Sequence, residues 1–196
     1  MPRLEPPHLR FHRSYLAAVA EQTAGPRPVG PLMAGVLDRH AGGWQESEGF
    51  ARFVAEMRAW ARGDQLPPEM PVPATVLWWT EGDTHLGTLF IRHRLTPQLL
   101  DFGGHIGAAV NAGARGRGHA TAMLRAALPF AGRLGVDPAL LTCDRSNTAS
   151  RKVIEKCGGV LEDRRGNSLR YWIGTANATK TGGTGSAPGV EASSQS

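Results

Sequence analysis

Apolar positions change their spacing several times along this chain, and each change marks an element. From residue 8 to 22, Leu9, Leu16, Val19 and Ala20 recur at helical intervals until Ala24-Gly25-Pro26, which predicts a first helix. Residues 25–46 are rich in Gly and Pro and predict irregular chain. Ser47 reads as an N-cap, followed by a 3.6-residue stripe of Phe50, Phe53, Val54, Met57, Trp60 and Ala61, so a second, core-facing helix is predicted up to Gly63-Asp64. Four prolines between Leu66 and Pro73 exclude helix there and predict a connector.

The period then shortens. Thr75 to Thr80 and Leu86 to Arg92 read as two strands joined by the Glu81-Gly82-Asp83 turn. In the first, Trp78 and Trp79 must face opposite ways, which predicts one core ring and one at the surface or in a cleft. Thr96-Pro97 marks a loop. Gly103 to Val110 is a third strand of unusually small residues, as suits close approach of a ligand or another backbone. His119 to Leu134 restores helical spacing with Pro129 inside it, and Ala139 to Cys143 is a short all-apolar strand of the kind buried in parallel sheets. Asn147 or Ser146 caps a last helix that ends at Cys157-Gly158, and Val160 to Glu162 with Leu169 to Ile173 form a hairpin. The segment from Thr175 to Ser196 has no aromatic residue and too little apolar surface to offset ordering, so it is expected to be a disordered tail behind one α/β domain of residues 1–174.

Composition narrows the function classes. No apolar run approaches the roughly 20 residues that span a bilayer, and the N-terminus has no signal-like apolar core, so a soluble, cytoplasmic protein without membrane contact is expected. Cys143 and Cys157 form neither a disulfide framework nor a zinc motif, and no metal is expected. The net charge of +5 comes mostly from arginine. The arginines do not interleave with aromatics as in nucleic-acid readers, so no nucleic-acid partner is expected. What stands out is distribution: no acid occurs from Phe102 to Val136, while Arg115, Arg117, Arg125 and Arg133 do.

That acid-free stretch holds the chemistry. A strand, a glycine-rich turn and a helix follow one another, and such a turn exposes main-chain N–H groups where the helix dipole also favours anions. Gly116 and Gly118 leave room for a phosphate, and Arg115 and Arg117 add charge. The absence of Gly-Lys-Ser/Thr excludes a P-loop, and Thr121 at the third glycine position weakens a dinucleotide fold. The run Gly103-Gly104-His105-Ile106-Gly107, then Ala114-Arg115-Gly116-Arg117-Gly118-His119-Ala120-Thr121, resembles the coenzyme-A motif of the GNAT acyltransferases. The stretch from Leu140 through Asn147 and Ser150 to Gly158-Gly159 is similar to the motif that follows it. Arg170-Tyr171-Trp172-Ile173 resembles the last strand of a bacterial subgroup of that family.

The resemblance implies a GNAT fold: a mixed central sheet with splayed fourth and fifth strands and helices on both faces. It implies acetyl-CoA as co-substrate and an N-acetyltransferase acting on a primary amine, of a small molecule or a protein, by direct attack on the thioester. Ala108 to Val110 would offer main-chain groups to pantetheine. The amides of Arg115, Gly116, Arg117, Gly118, His119 and Ala120 would hold the pyrophosphate, and Asn147 the coenzyme arm with Ser150 nearby. A tyrosine that many relatives use as acid is replaced by Ile154, and a frequent carboxylate by Gly104. The acid is then Tyr171, Cys143 or none at all, and His105 is the candidate base, with His93 and, after it, Glu162 and Asp144 behind it. These gaps motivate the alternative of an acyl-CoA-binding regulatory module without turnover. A homodimer is compatible with the sequence.

Overall fold

A computed structural model describes residues 1–25, 31–40, 43–64 and 66–175. Its centre is a pair of antiparallel sheets, and the first of them has an apolar core on each face. Strands β1 (Arg3–Glu5), β2 (Ala74–Glu81), β3 (Thr84–Arg92) and β4 (Ile106–Val110) form one antiparallel sheet in that order. Strands β5 (Ala139–Asp144), β6 (Val160–Arg165) and β7 (Ser168–Ile173) form a second, in the order β5-β7-β6.

On one face lie α1 (His12–Ala24), α2 (Pro31–Arg39) and α3 (Ser47–Ala59). The α3 stripe is buried as its spacing requires: Phe50, Phe53, Val54 and Met57 pack with Phe11, Tyr15 and Trp78. Ser47 is the first helical residue and Glu46 the cap, one position earlier than the sequence suggested. Helix α2 corrects the expectation of irregular chain over 25–46. Pro31 starts it, where a missing N–H costs nothing, and its Leu37 packs on this core. Residues 26–30 and 41–42 of that stretch lie outside the described residues.

On the other face, α5 (His119–Arg133) and α6 (Thr148–Lys156) cover Leu77, Trp79, Leu89, Ile91, Leu141 and Tyr171. Both neighbouring tryptophans are therefore core rings, Trp78 on the α1–α3 side and Trp79 on the α5–α6 side, because neither face of β2 meets solvent. Strand β5, read as parallel, pairs antiparallel with β7. A short helix α4 (Pro97–Asp101), capped by the Thr96 hydroxyl, stands where a loop was expected. Thr175 is buried and bonds Val136 and Asp137; residues 176–196 are outside the described residues. Among the described residues no helix is long and apolar enough to cross a membrane.

A polar knot ties α1 to the end of β4. His85 is 5% exposed beside Tyr15 and Trp78; its Nδ1 meets the Asn111 amide at 3.1 Å and its Nε2 the Thr88 hydroxyl at 3.1 Å. Burial pushes its pKa down to about 3. Unfolded histidine titrates near 6.5, so below that pH the unfolded chain takes up a proton that the folded chain refuses. Stability is therefore fully kept above about pH 7 and falls as pH drops from 6.5 towards 3, by up to about 1.4 kcal/mol per pH unit. In urea titrations, His85→Gln should lose about 2 kcal/mol less than wild type between pH 6.5 and 5. Equal losses would show that His85 is charged in the folded protein.

Candidate functional site

The sheet is interrupted between β4 and β5. The main-chain bond joining them runs from the His105 N–H to the Leu140 carbonyl at 2.7 Å, and the Leu140 N–H returns to His105 Nδ1 at 2.9 Å. Beyond this junction the strands part. Bonds from Arg92 N–H to His105 C=O and from Asn111 N–H to Leu86 C=O set the alternation along β4. Gly107 and Ala109 thus turn their main-chain groups to β3, while Ala108 and Val110 turn theirs to the open edge. The Val110 carbonyl is already taken by Arg115 Nε at 3.0 Å, which leaves its N–H. The all-small sequence of β4 fits the space: a Cβ at Gly107 would stand 2.2 Å from the Phe90 ring.

At the top of β4 the chain makes a short 3-10 turn, Ala112–Ala114, and enters the glycine turn. Gly116 and Gly118 have φ of +74° and +81°, values that favour glycine, and a Cβ on either would meet no protein atom within 4 Å. Among the described residues no acceptor is provided for the amides of Gly116 through Thr121, as expected for a turn that opens directly into a helix. Arg115 and Arg117 are exposed beside them, and Ala120 is half-buried. His119, the first residue of α5, accepts the Trp79 indole N–H on Nδ1 at 3.2 Å, which puts its own proton on Nε2. One acid does approach in space: Glu21 of α1 lies against Gly113. Open space, free amides and arginine charge suit a diphosphate, and the outward groups of Ala108 and Val110 suit an extended amide-bearing chain.

The remaining sequence-named residues are less free. The Asn147 side-chain oxygen accepts the Ser150 N–H at 3.1 Å, so it caps α6 and keeps its NH2 for other partners. His105 is half-buried, and desolvation, with Arg92 nearby, holds its pKa below the usual histidine value. Its ring is neutral near pH 7 and its Nδ1 lone pair is spent on Leu140. His93 bonds Thr75 through Nε2 at 2.9 Å. Tyr171 is 1% exposed and its O–H is donated to Glu155 at 3.1 Å; burial pushes its pKa up. Burial also raises the pKa of both thiols, Cys143 and Cys157, so they are protonated and unreactive near pH 7. Ile154 is buried in the α5–α6 core.

Arg92 escaped the sequence reading. It ends β3 on the same side as Thr88 and Phe90, lies 4.6 Å over the Phe90 ring, and donates Nη1 to the Gly104 and Gly103 carbonyls at 2.9 and 3.3 Å. The signal available was its place in the alternation, two residues after Phe90.

The chain matches the family model described as an acetyltransferase (GNAT) domain over residues 34–160. No curated protein sequence matches it. Among solved structures, RimJ of Mycobacterium smegmatis, in complex with CoA-disulfide, superposes with a TM-score of 0.59 at 20% identity, over 91% of this chain and 84% of that one. The microcin C7 self-immunity acetyltransferase MccE, in complex with acetyl-CoA and AMP, gives 0.55 at 14% identity, over 88% and 92%. A Salmonella typhimurium acetyltransferase that modifies the N-terminal serine of the ribosomal protein L7/L12 gives 0.53 at 13%, over 87% and 92%.

Proposed function

Because the chain belongs to the GNAT acetyltransferase family and is by class an acyltransferase, we propose that it transfers the acetyl group of acetyl-CoA to a primary amine. The observation that carries this reading is the mouth of α5. Two left-handed glycines with open space in front of them present unpaired amides beside two exposed arginines. Acetyl-CoA supplies an activated thioester. The amine nitrogen bonds to the acyl carbon, the C–S bond breaks with its electron pair leaving on sulfur, and the amine's proton passes to solvent or to the thiolate.

The chain's own contribution is orientation and main-chain polarity. Amides of Gly116 through Ala120 hold the diphosphate; that of Arg115, expected to join them, is spent on the Ala112 carbonyl in the 3-10 turn. Ala108 and the Val110 N–H hold the extended arm, and the Asn147 NH2, with Ser150 beside it, reaches the arm from β5's end. We assign His105 to holding the strand junction and not to accepting the amine's proton, since its lone pair is committed to Leu140. Tyr171 stays protonated and is the candidate donor to the leaving thiolate, at the cost of its bond to Glu155. The acceptor is a small amine or a protein N-terminus.

A second reading, a coenzyme-binding module without turnover, draws on Ile154 at the tyrosine position and on the committed His105. Thiol release from acetyl-CoA across an amine panel, with mass spectrometry of the product, separates the two. Transfer gives an adduct 42 Da heavier, the mass of an acetyl group replacing hydrogen. Coenzyme binding with no thiol release for any amine would favour the module.

A further inference from the structure

Among the described residues two arginines are almost fully buried, and they differ in how their charge is met. Arg170, 2% exposed, bonds both oxygens of Asp163 at 2.8 and 2.9 Å, Glu162 at 2.8 Å and the Leu100 carbonyl. Arg92, 7% exposed, has no carboxylate partner among the described residues. Its Nη1 is spent on two carbonyls, its Nε is buried without a hydrogen-bond partner, and its Nη2 makes no hydrogen bond among the described residues. The residues outside the description contain one acid, Glu191 in the C-terminal segment. A buried guanidinium left with an unused fork is costly, and such a group is stabilised when a planar anion completes it.

Its location gives the unused fork a purpose. Gly103 and Gly104, which Arg92 holds, lead straight into His105, the junction from which β4 and β5 part. The glycine turn opens into α5, which packs on the α5–α6 side of the sheet, so the coenzyme proposed there would lie on that side. Arg92 shares the opposite side with Phe90, which packs on the α1–α3 core. An amine attacking a thioester lodged in the gap must come from the side the coenzyme does not fill, and that is the side Arg92 lines.

We propose that Arg92 is a specificity-determining residue that binds a carboxylate carried by the acceptor, within a few bonds of the amine to be acetylated. This rests on the acetyltransferase reading and deepens it. The carboxylate orients the acceptor by a charge-assisted bond, and Phe90 under the guanidinium fixes the fork's plane. A free amino acid or the acidic first residues of a peptide could carry it.

Thiol release from acetyl-CoA by the full chain would be measured for acceptors matched except for charge. The pairs are glycine and glycinamide, β-alanine and its amide, 4-aminobutyrate and its amide, and short peptides beginning in Asp or Asn. For at least one pair, the carboxylate member should have kcat/KM higher by about tenfold or more, the size of one charge-assisted bond. Preference among the free amines points to a small metabolite, and preference among the peptides to a protein terminus. Arg92→Gln should bring the ratio close to one while the calorimetric affinity for CoA is unchanged, and Arg92→Lys should keep part of the preference. Because Arg92 also holds two carbonyls, the wild-type comparison stands by itself if a variant fails to fold. Equal turnover within every pair, or a preference that survives Arg92→Gln, overturns the proposal. Normal CoA binding with no turnover of any carboxylate-bearing amine overturns it too, and leaves the coenzyme site standing. Loss of both CoA binding and thiol release in wild type removes the acetyltransferase reading itself.

Discussion

Gly118→Val is expected to weaken coenzyme A binding by about 100-fold or more, the equivalent of two lost charge-assisted hydrogen bonds. The isopropyl group would start into open space, since a Cβ there has no protein atom within 4 Å. It would instead fill the space in front of the free amides, where the diphosphate is to lie. Part of any effect could come from strain, because φ is +81° and a branched residue in the left-handed region costs about 1–2 kcal/mol. Gly135 supplies the control: it has φ of +77° and equally open surroundings, at the far end of α5. Gly135→Val should lose similar stability and keep CoA affinity. Calorimetry on both variants separates the effects, and equal affinity in Gly118→Val and wild type would contradict the assignment.

Gly104→Ala is expected to destabilise the fold by about 2–5 kcal/mol, combining left-handed strain with overpacking. Here φ is +61° and a Cβ would stand 2.4 Å from the Leu140 carbonyl oxygen, which is main chain and cannot swing aside. The same oxygen accepts the His105 N–H, so relief of the clash pulls apart the junction at which β4 and β5 part. Turnover should fall with stability, even at saturating acetyl-CoA. The same contact leaves no room for any side chain at this position. A denaturation midpoint unchanged in Gly104→Ala would show that the two strands are not held this closely.

The sequence made the large periodic features legible because burial imposes period directly. The α3 stripe, the α5 face and the glycine turn opening into α5 all lie where their spacing placed them. What stayed hidden depends on partners distant in sequence. Strand β1 is three residues, Arg3, Leu4 and Glu5, with no apolar alternation; it exists because its main chain pairs with Trp78 to Thr80. The strand read as starting at Gly103 starts at Ile106, because both glycines are left-handed. Within the site, residue types were readable and their commitments were not. That His105 spends its lone pair on Leu140, and Asn147 its oxygen on a helix cap, follows from contacts across 35 residues and within a single turn. Arg92 was passed over because arginine at a strand end reads as surface, and its burial arises only when Gly103 and Gly104 fold over it.

The groups assigned to the diphosphate are main-chain amides, and amides can be watched directly. In a proton–nitrogen correlation spectrum titrated with coenzyme A, the amides of Gly116, Arg117, Gly118, His119 and Ala120 should shift together and saturate with the same affinity as the calorimetric curve. Binding that leaves those five amides in place while others move, or no binding at millimolar coenzyme, would contradict it.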